Sequence, residues 1–127
     1  MNRYLILPAT DPLIILDPNT GEPAMDPDGK LVTMPRVGLL RVLVSGILQA
    51  DKLDVLDAQV LRGKLLGDYV IELSEPEHTA ISAEARKPSM LTIHAKSSPD
   101  VIAVLRAIVD APSTKPAQLA VGEAPPA

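Results

Sequence analysis

The chain contains no cysteine, no phenylalanine and no tryptophan, and its only aromatic rings belong to Tyr4 and Tyr69. Without cysteine there is no disulfide staple, no thiol nucleophile and no zinc–thiolate site. Without aromatic platforms, unpaired bases have nothing to stack on. The seven glycines never cluster, so no phosphate-cradling loop can be written. No apolar run approaches the roughly 20 residues that span a bilayer, and no basic segment followed by an apolar run marks a secretory leader. A basic excess is missing too: 12 Lys and Arg stand against 16 Asp and Glu, a net charge of −4. Nucleic-acid binding needs a cationic face that releases counterions, so nucleic acid is not expected as the main ligand. The expectation is a soluble intracellular product with no membrane contact.

What remains is aliphatic. Hydrophobic residues make up 46% of the 127 positions, enough for one domain's core built from Leu, Val, Ile, Ala and Met. Such a core suits helix-on-helix and helix-on-hairpin packing. Near the N-terminus, residues 3–7 and 13–17 are β-prone runs interrupted by Pro8 and Pro12, which places them at a sheet edge or in an arm. Two similar phrases follow, Asp17-Pro-Asn-Thr-Gly and Asp26-Pro-Asp-Gly. Each supplies an Asp that can bond its own turn, a Pro with φ preset, and a Gly where φ turns positive. They predict an antiparallel meander of three short strands. As a calcium loop the stretch fails: counted from Asp17 as position one, Gly21 falls at five, Glu22 at the obligatory glycine and Asp28 at twelve.

From Pro35 the periodicity becomes helical. Val37, Leu40, Leu43, Val44 and Ile47 recur at spacings of three and four, predicting a helix over 35–50 with Thr33 as N-cap. Leu39 and Val42 fall off that stripe and are candidates for a partner-facing side. Gly38 and Gly46 lie on similar faces and offer close backbone approach, unless they are simply tolerated. Asp51-Lys-Leu-Asp54 opens a second helix to about residue 66, with Leu53, Leu56, Val60, Leu61 and Leu65 as its stripe. Residues 69–73 read as an extended link. Ser74-Glu-Pro-Glu77 is a capping box opening a helix to about residue 86. Residues 90–94 are a strand or a further turn. Ser98-Pro99-Asp100 starts a last helix ending near residue 111, and the Pro/Ala-rich remainder is a tail. The fold class is therefore α+β: a β-hairpin arm (1–34) packed on a three- to four-helix core (35–111), then a flexible or partner-bound tail (112–127).

No catalytic constellation emerges. His78 and His94 share no metal-ligand spacing; His78 is expected in solvent at a helix start and His94 partly buried with a satisfied ring. Asp51, Asp54 and Asp57 read as a solvated, cap-forming stripe. No enzyme, cofactor or metal is expected. The candidate contact residues are Asp17, Asn19, Glu22, Asp26 and Asp28 on the acidic hairpins, with Leu39 and Val42 on the first long helix.

The order of an acidic hairpin ending in Asp28-Gly29-Lys30-Leu31-Val32-Thr33, an apolar helix, a second helix and then Glu72-Leu73-Ser74-Glu75-Pro76-Glu77 resembles small accessory proteins encoded in tailed-bacteriophage genomes. The resemblance covers about residues 16–86. It implies a phage or prophage origin and a role in the particle or its assembly, hence a place in the virion or the host cytoplasm. It carries over no catalytic or binding residues. Partners are then expected to be proteins, either virion components or further copies in a homo-oligomer. The alternative is a soluble module that regulates or inhibits a host protein.

Overall fold

A computed structural model of the chain describes residues 2–67, 70–87, 91 and 93–113. In chain order the elements are β1 (Arg3–Ile6), β2 (Leu13–Ile14), β3 (Thr33–Met34), α1 (Arg36–Gln49), α2 (Val55–Gly67), β4 (Val70–Leu73), α3 (Glu75–Arg86), the single turn α4 (Ile93–Lys96) and α5 (Pro99–Val109). The fold is α+β, with two small antiparallel sheets beside the helices. Among the described residues no helix is long and apolar enough to cross a membrane.

The helices form because apolar side chains recur at three and four, and they pack in a row. α1 lies between α2 and α3, and α3 lies between α1 and α5. Covered on both sides, α1 buries Leu39, Leu40, Leu43, Val44 and Ile47. Gly46 allows the closest approach in this row: a Cβ there would lie 2.5 Å from Oε2 of Glu84 on α3. Gly38 meets only ordinary contacts.

The first strand does not join the hairpins that follow it. β1 pairs with β4, in register from Arg3 opposite Leu73 to Ile6 opposite Val70, so the expected link at 69–73 is a strand over its described residues. Leu5, Leu7, Leu13 and Ile15 belong to the same buried cluster as the helices. Alternate residues of β1, β2 and their flanks thus anchor the N-terminal stretch in the core, while residues 9–12 stay exposed.

Those hairpins form the expected meander with an added closure. Residues around 16 and 23, and around 25 and 31, bridge in turn, while β2 returns to pair with β3. At the centre, Ile15 N–H donates to Val32 O (3.2 Å), Val32 N–H to Ala24 O (2.9 Å), and Ala24 N–H to Ile15 O (2.9 Å). This ring of three bonds makes a triangular knob whose strands are too short to offer an open edge. Gly21 (φ 72°) and Gly29 (φ 80°) occupy the left-handed positions that end its turns.

Caps differ from expectation where a distant residue supplies them. Thr33 lies in β3 and does not cap α1; the Arg36 N–H instead donates to Oδ1 of Asp11, 3.1 Å away in the β1–β2 loop. Asp51 does not open α2. It ends α1 at φ 53°, with Asp51 N–H bonded to Leu48 O and Lys52 N–H to Ile47 O, the paired bonds of a Schellman motif. Asp54 is the residue that caps α2, accepting from Asp57 N–H at 2.8 Å. The Ser74 capping box forms as written in the sequence. Ser98 caps α5 and is fully buried, also donating to the carbonyl of Ile14, while Asp100 Oδ2 accepts from Ile14 N–H at 2.8 Å. The start of α5 therefore holds both backbone groups of one residue in β2. The tail boundary also moves, because Tyr4 N–H donates to Pro112 O at 2.8 Å. Residues 114–127, with most of the expected tail, lie outside the described residues.

Candidate functional site

The five acidic-hairpin residues divide by role. Asp17 and Asp26 are builders: Oδ1 of Asp17 accepts from Asn19 N–H (2.8 Å), and Oδ1 of Asp26 accepts from Asp28 N–H and Lys30 N–H (both 2.9 Å). Asn19, Glu22 and Asp28 are exposed, so the outward negative charge of the knob comes from Glu22 and Asp28. Beside them Met25 and Leu31 stand directly opposite one another across the second hairpin, 62% and 48% exposed. The knob thus presents an apolar cross-strand pair among carboxylates.

Leu39 is not a contact residue. It is fully buried, because the side of α1 that looked surplus in sequence is covered by the chain's own elements. Val42 is half-buried and packs against the same core. The exposed apolar surface lies one helix later. In α2 the buried stripe is Ala58, Leu61 and Leu65, which leaves Leu56 at 78%, Val55 at 66% and Val60 at 57% exposure. Leu56 and Val60, four residues apart, share the outward face. The sequence reading had placed both in the buried stripe.

Two clefts flank this face. One, about 250 Å³, is lined by Leu53, Asp57, Val60, Lys64, Ser74, Pro76 and Glu77. Its polar wall is an ion pair, Lys64 Nζ to Glu77 Oε1 at 2.7 Å, and the same oxygen accepts from Ser74 N–H at 2.9 Å. Burial pushes the Glu77 carboxyl up, but the hydrogen bonds from Lys64 and Ser74 and the Lys64 charge outweigh it and hold the group below its usual range. At the rim, the neighbouring Asp54 carboxylate holds exposed Asp57 above its usual range. Glu77 is committed to a cap and a lysine, which makes it architecture.

The other cleft, about 290 Å³, lies between α1 and α2 and is lined by Arg41, Val44, Ser45, Leu48, Gln59 and Arg62. On α1, Arg41, Ser45 and Leu48 follow at four and three; on α2, Val55, Gln59 and Arg62 do the same. The helices run in opposite directions, so the two rows match end to end. Leu48 makes an apolar end, Ser45 and Gln59 a neutral middle, and Arg41 and Arg62 a cationic end. Among the described residues neither guanidinium has an ion-pair or hydrogen-bond partner.

His78 is half-buried and not simply solvated: its Nε2 lies 3.0 Å from Ile108 O and 3.1 Å from Ser82 Oγ, joining α3 to α5. His94 falls in α4, and its side chain lies outside the described residues. Residues 93–96 thus form a helical turn where a strand or turn was expected; Met90 and Thr92 lie outside the described residues. Among the described residues no three His, Asp or Glu gather as a metal-holding group.

Known proteins add no further constraint. No protein-family model matches the chain, and no curated protein or solved structure matches it either.

Proposed function

We propose that the protein is a non-enzymatic structural or assembly component of a phage particle: a minor head, connector or tail component, or an assembly chaperone. It works through protein–protein contacts. The observation that carries this reading is the outward face of α2, where Val55, Leu56 and Val60 stand more than half exposed on a single helix. A helix that turns large aliphatic side chains to solvent gains from being covered, at about 1.5–3 kcal/mol for each Leu or Val fully buried. The phage setting rests on the resemblance of residues 16–86 to accessory proteins of tailed phages.

The test is genetic complementation in a host that carries the parent phage genes. Deleting the gene should lower particle yield, and the wild-type chain should restore it. A Leu56→Asp/Val60→Asp chain, altered only on the solvent face, should fold but fail to restore yield. Unchanged yield after deletion would remove the particle role and leave regulation of a host protein as the reading to pursue.

A further inference from the structure

The hairpin knob and the groove between α1 and α2 are complementary in both charge and apolar content. Residues 17–30 hold four carboxylates against one lysine. Two of those carboxylates, Glu22 and Asp28, are not used in building the turns, and they flank the exposed pair Met25 and Leu31. The groove offers the reverse set: an apolar end at Leu48, and the guanidinium groups of Arg41 and Arg62, which have no partner among the described residues. Seven residues separate Arg41 from Leu48, so the two ends lie about 10 Å apart along the helix at 1.5 Å per residue. That spacing suits a hairpin tip carrying an aliphatic pair and a nearby acidic turn.

We propose that copies of this chain join head to tail, the acidic knob of one seated in the α1–α2 groove of the next. The inference rests on the reading that the protein works through protein contacts, and it names a second copy as the partner. The chain's own hairpins do not fill the groove: no hairpin residue lines it. The hairpins are tied to the start of α5 through Ile14, whereas the groove lies on the side of α1 that faces α2. Knob and groove are different surfaces, so the contact is heterologous and propagates into a ring or a filament, unlike a two-fold dimer. A fingertip-sized contact falls short of the about 800 Å² per partner of a standard interface. Association is therefore weak, dependent on concentration and sensitive to salt.

The experiment uses the full chain and two charge-reversal variants at exposed positions, Arg41→Glu/Arg62→Glu in the groove and Glu22→Lys/Asp28→Lys in the knob. Mass is read by light scattering over a concentration series at low salt, with circular dichroism to verify that each variant is folded. Wild type should rise past the dimer as concentration increases, and should return to monomer when salt shortens the Debye length to a few ångströms, about 3 Å at 1 M. Each variant alone should stay monomeric. Mixed in equal amounts, the two variants offer each other matching surfaces, native knob to native groove and reversed knob to reversed groove, so association past the dimer should return. A wild-type chain that remains monomeric at every concentration overturns the proposal. So does a dimer that both variants retain, since that is a two-fold contact elsewhere. A monomeric chain that still restores particle yield would overturn head-to-tail joining and leave the proposed function in place.

Discussion

Replacing Glu77 by glutamine separates its charge from its cap. Glutamine keeps a side-chain oxygen that can accept from Ser74 N–H, so the start of α3 should survive. What is lost is the charge facing Lys64 Nζ at 2.7 Å. Charge-assisted hydrogen bonds are about twice as strong as neutral ones, which puts the loss near 1 kcal/mol for each of two bonds. Removing a carboxylate whose side chain is only 8% exposed also removes a desolvation cost, which offsets part of that loss. The net expectation is a destabilisation of about 1 kcal/mol at neutral pH. For a folded body of roughly 110 residues this lowers Tm by about 4 °C. The pH dependence supplies the check. Glu77 is held below its ordinary 4.5 in the folded chain, so its contribution is fully present above 4.5 and is lost as pH falls through the folded value. The gap in Tm between wild type and Glu77→Gln, read by thermal denaturation from pH 7 down to pH 3, should shrink on the acid side. A gap that stays constant or widens in acid would refute the reasoning. A glutamine variant more stable than wild type at pH 7 would show that desolvation exceeds pairing.

Other perturbations test the caps and turns. Ser98→Ala removes the cap of α5 and the bond to Ile14 O together, and should cost about 1–2 kcal/mol by urea denaturation. Asp51→Gly relieves a left-handed residue at φ 53° and should stabilise by about 0.5–1 kcal/mol in the same assay. Gly29→Val places a β-branched residue at φ 80°, and should destabilise by about 1–2 kcal/mol while leaving helical circular dichroism intact. Ending the chain after Ala111 removes the Pro112 carbonyl that Tyr4 N–H uses and should cost about 1 kcal/mol, whereas ending it after Ser113 retains that bond.

The parts of this fold that were legible in sequence are those specified by neighbours. The Ser74–Glu77 box, the Ser98 cap and the Asp-Pro turns each need only residues two to four positions apart, and each formed as written. The limits of α1 and α3 followed because a period of three and four stops where its caps stop, whereas α2 begins four residues later than Asp51 suggested. Pairings between distant segments were hidden. Nothing local in residues 3–6 points to 70–73 as their partner, or to Asp11 as the residue that meets the first turn of α1. The exposed apolar surface was misplaced for a related reason. α1 is apolar on much of its circumference because two helices flank it, and sequence cannot distinguish a second covered side from an exposed one. In α2 a buried stripe and an exposed one are both aliphatic, and only the packing of Leu61 and Leu65 shows which is which. The groove needed the antiparallel placement of two helices before Arg41 and Arg62 could be seen together.

The most direct test of the account is side-chain footprinting of Leu56 and Val60 with hydroxyl radicals, comparing the isolated chain with the chain in a preparation of assembling particles. Both residues should label strongly in isolation and fall several-fold once the chain joins its partners, while buried Leu61 stays low throughout. Equal labelling of Leu56 and Val60 in the two preparations would contradict the claim that the outer face of α2 is where this protein does its work.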